Sequence, residues 1–191
     1  MDQRVILPVK PFGEAKQRLA SAMTASARAN LAKEMFRHVL ATAGAFAAPA
    51  TIIVISRGSE VLDLARTYGA TPLMEQMSSE LNGALRQAAE FARARGASRL
   101  FIVAGDLPLL CEADLEALAA HECAIAPDRH GTGTNALAWP SSLGFCFGEK
   151  SFERHCKIAT AGGYEAQFIT RPGLAHDIDL PSDLIYARKV G

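Results

Sequence analysis

Residues 99–110 read RLFIVAGDLPLL. Leu100 to Ala104 (LFIVA) run without a polar break and stop at Gly105. A short stretch that is apolar at every position, rather than at every second one, marks a strand covered on both faces, as parallel sheets require. The same signature recurs upstream at Arg4 to Leu7 (RVIL) and Thr51 to Ser56 (TIIVIS), with a shorter version at Ala70 to Met74. Helical patterns separate these runs. From Ala27 to Ala43, Leu31, Met35, Phe36, Val39 and Leu40 fall at helical spacing, with Thr24 or Ser26 as the cap. Glu60 to Tyr68 predicts a short helix that stops at Gly69. Ser79 to Arg95 predicts a longer one, with Leu81, Leu85, Ala88, Phe91 and Ala92 on one stripe, Ser79 as cap and Gly96 as stop. Glu112 to His121 predicts a fourth. Such β-α alternation predicts an α/β fold: a mostly parallel central sheet with helices on both faces and right-handed crossovers.

The second half is less regular. Ala124 to Ala126 and Asn135 to Trp139 flank a Gly- and Thr-rich turn. Ser151 to Ala161 predicts a helix, Gln167 to Thr170 a strand, and a last helix begins near Ser182, after Pro181. At 191 residues the chain suits a single domain spanning 1–191. Twenty basic residues balance twenty acidic ones, which excludes nucleic-acid binding through bulk charge. An anionic ligand must then be caught by local groups. No apolar run is long enough for a membrane span, and the amino-terminal stretch lacks a signal peptide's apolar segment. The expected location is cytoplasmic, with the four cysteines reduced and buried.

In an open α/β sheet, ligands bind beyond the carboxyl ends of the strands. The first strand exits into PVKPFGEAKQRLA, residues 8–20, where Lys10, Lys16 and Arg18 crowd three cations into nine residues. A turn-rich loop there presents cations and main-chain N–H groups to phosphates; on spacing alone it is equally a solvated basic loop. It is neither a Walker A loop nor a dinucleotide fingerprint. Asp106, just past the buried strand, suits Mg2+, a hard ion that prefers oxygen donors, or else caps the next helix. DRHGTGTNAL (128–137) is a Gly-rich turn with hydroxyls at Thr132 and Thr134. FGEKSFERH (147–155) sets Gly148 ahead of Ser151, which reads as a helix cap. HDIDLPSDL (176–184) holds Asp177 and Asp179, either of which can share a metal with Asp106, and Asp183, read as first-turn charge of the last helix.

Taken in order, LPVKPFGEAKQRLA, LNGAL, GDLPLL, APDRHGTGTNAL, FGEKSFERH and LAHDIDLPSDL resemble the guanylyltransferases of coenzyme F(420) biosynthesis that act on 2-phospho-L-lactate or phosphoenolpyruvate. The resemblance runs from residue 5 to about residue 186. It implies a single-domain Rossmann-like nucleotidyltransferase, akin to the molybdenum-cofactor guanylyltransferases, although Pro8-Val9-Lys10-Pro11 replaces their Gly-rich opening loop. The implied reaction joins GMP from GTP to a phosphorylated three-carbon acid (2-phospho-L-lactate, phosphoenolpyruvate or 3-phosphoglycerate) and releases pyrophosphate. By the same resemblance Lys10, Lys16 and Arg18 meet the triphosphate, and Lys16 or Arg18 offsets the pyrophosphate charge. Asn82 meets ribose or base. Asp106, with Asp177 or Asp179, holds Mg2+. Thr134 (or Thr132), Gly148 and Ser151 hold the acid, with Arg129 and His130 nearby. The resemblance allows a homodimer. Two other readings fit the residues: a nucleotidyltransferase for a sugar phosphate or molybdopterin, and a GTP-binding domain without turnover.

Overall fold

A computed structural model describes residues 2–76 and 80–187. Seven strands form one sheet: β1 (Gln3–Pro8), β2 (Ile52–Ser56), β3 (Thr71–Met74), β4 (Arg99–Val103), β5 (Ala124–Pro127), β6 (Thr134–Pro140) and β7 (Gln167–Phe168). Their spatial order is β3-β2-β1-β4-β6-β5-β7. Strands β3, β2, β1 and β4 pair in parallel, and only β6 runs against its neighbours. The helices are α1 (Ala25–Phe46), α2 (Ser59–Thr67), α3 (Leu81–Arg93), α4 (Glu112–Ala119), α5 (Ser151–Ala161), α6 (Pro172–Ala175) and α7 (Leu184–Ala187).

The uninterrupted apolar runs are explained by two cores. On β1, Val5 and Leu7 face one core while Ile6 faces the other; on β2, Ile52 and Val54 oppose Ile53 and Ile55. On β4, Phe101 and Val103 oppose Leu100 and Ile102. The first core is closed by α1, through Ala32, Phe36, Val39, Leu40 and Ala43 at helical spacing, together with α2 and α4, while Met35 of the same helix packs with Leu19 and Ile178. The second is closed by α3, through Ala84, Leu85, Ala88, Ala89 and Ala92, and by α5. Thr24 caps α1 by accepting the Ala27 N–H. The expected cap at Ser79 lies outside the described residues.

Several expectations need correction. Ser151 does not cap α5: Lys150 holds that position, and Ser151 is the first helical residue, buried. Asp106 caps nothing, because α4 starts at Glu112 and Asp114 accepts the Cys111 N–H at its entry. Asp183 does stand in the first turn leading into α7, as expected, but it is almost fully buried. The four cysteines are free, yet only Cys123 is buried; Cys111 sits exposed at the turn into α4. The one-turn helix α6 escaped the sequence because four residues carry no periodicity. Its place is set from outside, by the Arg171 Nε donating to Asp114 Oδ1 at 2.5 Å. No helix among the described residues is long and apolar enough to cross a membrane.

Close approach at α6 generates a test. A methyl group on Gly173 would overlap the Asp114 carboxylate and lie 2.7 Å from the Leu109 carbonyl oxygen. Gly173→Ala is expected to lower stability by about 2–3 kcal/mol, measured by urea unfolding.

Candidate active site

The strand order reverses between β1 and β4: the chain first adds β2 and β3 on one side of β1, then crosses to place β4 on the other. Crevices at such reversals are where open α/β sheets bind ligands. Here a cavity of about 440 Å³ opens at the carboxyl ends of β1, β2 and β4. Pro8, Lys10, Lys16, Ile55, Gly105 and Asp106 stand in its wall, and Asp179 joins them from the far end of the chain.

Lys16 is the centre of this wall. Its Nζ makes an ion pair with Asp106 and lies 3.2 Å from Asp179 Oδ1, and its side chain is only 6% exposed. Burial pulls the ammonium pKa down, but the charges and hydrogen bonds of Asp106 and Asp179 outweigh it, so the net shift is upward and Lys16 stays protonated. The backbone is strained to bring it there, with φ 57° and ψ 37°, a left-handed conformation uncommon for a residue carrying a Cβ. Arg18 lies outside the cavity wall. Its guanidinium is largely exposed and reaches Asp179 Oδ2 at 3.2 Å. Lys10 stands in the wall, exposed, and no ion pair engages it among the described residues.

One oxygen from each of Asp106, Asp177 and Asp179 lies within 4.8 Å of the others. Both candidate partners of Asp106 are therefore present together. Burial, then the Asp106 charge, raises the Asp177 pKa, against a hydrogen bond from Asn135 Nδ2 at 3.2 Å. The same Asn135 nitrogen also donates to the Leu174 carbonyl at 3.0 Å, tying the loop before Asp177 to β6. Asp183 clamps the other side of that loop. Its carboxylate accepts the Asp179 N–H at 2.9 Å, the Leu180 N–H at 2.7 Å and Arg129 Nη2 at 2.5 Å. Burial opposes ionisation of Asp183, but these hydrogen bonds prevail and its pKa is lowered. Arg129 is thereby committed to holding the loop. Neither Asn135 nor Asp183 was singled out as a site residue. A lone amide inside the apolar run TNALAWP was the one available signal for Asn135.

Thr134, Gly148 and Ser151 do not stand in the cavity wall; Thr134 meets His155, and the Ser151 N–H donates to the Gly148 carbonyl at 3.1 Å. Thr134 Oγ1 lies 2.9 Å from His155 Nδ1, and Cys146 N–H donates to His155 Nε2 at 3.1 Å. Thr132 is turned to Asp128, which accepts both its N–H (2.9 Å) and its hydroxyl (3.3 Å), so Thr134 is the threonine left facing His155. Gly148 has φ 112°, which favours glycine. Asn82 does not line the cavity. Its carboxamide is used at both ends on Phe147, accepting the N–H at 2.7 Å and donating to the carbonyl at 3.0 Å. It latches α3, whose Leu81 does line the cavity, to the turn carrying Gly148. Trp139 is fully buried, donates to the Gly144 carbonyl at 3.0 Å and packs edge-on against His155.

The whole described chain, not only this site, matches a known family: residues 3–187 fit the guanylyl transferases described as CofC like. The chain belongs to that family. It is 37% identical over 185 residues to the phosphoenolpyruvate guanylyltransferase of Chloroflexus aggregans, covering 92% of this chain and 91% of that one. It is 35% identical to the 2-phospho-L-lactate guanylyltransferase of Methanothermobacter thermautotrophicus, covering 94% of this chain and 81% of that one. Among solved structures it superposes, with a TM-score of 0.76 and 16% identity, on a candidate nucleotide-diphospho-sugar transferase of Desulfovibrio desulfuricans G20, over 96% of this chain and 84% of that one. That likeness shows the fold alone. As a CofC-like guanylyl transferase the chain is a nucleotidyltransferase with a Rossmann-like sheet.

His155 supplies a stability test. Burial holds its pKa at about 4, against about 6.5 for an exposed histidine. Between those values the unfolded chain binds more protons than the folded one, so stability rises with pH across that window. About 3 kcal/mol present above pH 6.5 is expected to be lost as the pH falls to 4. Urea unfolding at several pH values checks this, and a flat profile from 4 to 6.5 contradicts it.

Proposed function

We propose that this chain transfers GMP from GTP to a small phosphorylated three-carbon acid, releasing pyrophosphate, in coenzyme F(420) biosynthesis. The observation that carries this reading is the meeting of Lys16, Asp106 and Asp179 in one wall, with Asp177 beside them, at the sheet's reversal point. The names of the two relatives support the donor and the acceptor class.

In the proposed reaction a phosphate oxygen of the acid attacks the α-phosphorus of GTP. The bond from that phosphorus to the bridging oxygen breaks, and pyrophosphate leaves with the electron pair. No covalent enzyme intermediate is needed, so the protein's work is alignment and charge neutralisation. Lys10, exposed in the wall, meets the triphosphate. Lys16 keeps Asp106 and Asp179 at fixed positions and moderates their mutual repulsion. The purine side of the nucleotide lies toward Leu81 and Ile55, the apolar part of the wall. Thr134, the Gly148 turn and Ser151 hold the acid.

Three carboxylate oxygens within 4.8 Å of one another form an all-oxygen donor set, which fits Mg2+. Asp106, Asp177 and Asp179 would hold it. When bound, the ion would neutralise phosphate charge.

Incubation with GTP, Mg2+ and each of 2-phospho-L-lactate, phosphoenolpyruvate and 3-phosphoglycerate is expected to release pyrophosphate with at least one acid. Silence with all three overturns the reading. Asp106→Asn is expected to lower kcat by roughly 10²-fold or more while circular dichroism stays unchanged; wild-type turnover would remove Asp106 from the site. Ser151→Ala is expected to raise the KM for the acid more than the KM for GTP, and equal effects on both would reduce Ser151 to a packing residue.

A further inference from the structure

We propose that His155 is a positioning residue for the acceptor acid: as the Nδ1–H tautomer it occupies the lone pair of Thr134 Oγ1 and leaves the threonine's own hydrogen to be donated to the acid. The proposal rests on the reading of Thr134 as an acceptor contact.

The tautomer follows from the partners. A main-chain N–H can only donate, and that of Cys146 lies 3.1 Å from His155 Nε2. Nε2 must therefore present its lone pair. A neutral imidazole carries one hydrogen, which is then on Nδ1. Nδ1 lies 2.9 Å from Thr134 Oγ1, so the hydroxyl oxygen accepts there. The opposite tautomer would set two hydrogens against each other at Cys146, and an imidazolium would do the same. The ring is completely buried, walled by Phe147 at 4.8 Å and Trp139 at 5.7 Å between centroids. Burial also holds its pKa at about 4, which keeps it uncharged near neutral pH.

A hydroxyl that has accepted one hydrogen bond still has its proton to give. Among the described residues, no second partner engages Thr134 Oγ1. An anionic acid needs donors, and His155 ensures that Thr134 is one. The same ring is close along the chain to the other two pieces of the acceptor group. It holds the main chain two residues before Gly148, and it sits one helical turn after Ser151, on the same face of α5. Both ring nitrogens are thus engaged, one by the turn and one by the threonine.

Two measurements on the intact protein decide the matter. Long-range ¹⁵N–¹H NMR of the His155 ring at pH 7 is expected to show a single hydrogen on Nδ1; a hydrogen on Nε2, or on both nitrogens, overturns the proposal without any substitution. In steady-state kinetics, Thr134→Val is expected to raise the acid's KM roughly tenfold or more while the GTP KM moves less than about twofold. His155→Phe, which keeps the ring, is expected to raise the acid's KM by a similar factor. The double variant should be no worse than the worse single one, and His155→Asn, which keeps a donor near Nδ1, should recover part of the loss. An acid KM unmoved by Thr134→Val overturns the acceptor reading and the proposal with it. A KM moved by Thr134→Val but not by His155→Phe overturns the proposal alone, as do effects that multiply in the double variant.

Discussion

A lysine ammonium held almost dry between two aspartates is the contact on which this molecule's candidate site depends. Lys16, Asp106 and Asp179 come from the first tenth, the middle and the last tenth of the chain. Burying such a set is not an efficient way to gain stability, because desolvation consumes much of the Coulomb attraction. What it secures is geometry. Three carboxylates within reach of one ion repel one another, and Lys16 with Arg18 offsets two of their three charges. The left-handed backbone at Lys16 belongs to the same arrangement: local strain is tolerated where surrounding contacts over-determine the conformation.

Around that contact the fold divides the labour between two groups. The reversal between β1 and β4 opens the cavity, and the loops leaving those strands bring Lys10, Lys16 and Asp106 to it. The antiparallel β6 then starts where β4 ends, with the Ala104 N–H donating to the Asn135 carbonyl at 2.9 Å. This register sets Thr134 and Asn135 next to the exit that carries Asp106. From there Asn135 reaches Asp177, and Thr134 reaches His155. The Asn82 latch joins the same turn to the helix that walls the cavity. The cavity wall and the His155 group are thus built on adjoining strands and tied by short polar clips.

The alternating strands and helices of the first half were legible because each is a long, strongly periodic or wholly apolar segment. Their ends fall within a few residues of the predicted ones, as at Ala25–Phe46 against Ala27–Ala43. The cationic loop and Asp106 were legible because strand ends are where such residues gather. Asn82 and Ser151 were ambiguous because their chemical types fit more than one role. An asparagine serves a ribose or a main chain equally well, and a serine before a helix need not be its cap. By the resemblance Arg129 lay near the acid, and only its contact with Asp183 shows it engaged.

By itself the sequence determined the α/β architecture, the two-faced burial of its central strands and the order of motifs that marks the family, since all three are written in local periodicity and composition. Tertiary structure alone decided that Asp177 and Asp179 both join Asp106, that Thr134 rather than Thr132 faces His155, and that Asp183 is buried. Those facts depend on contacts between residues far apart along the chain, and such contacts exist only once the sheet has set its strand order and register.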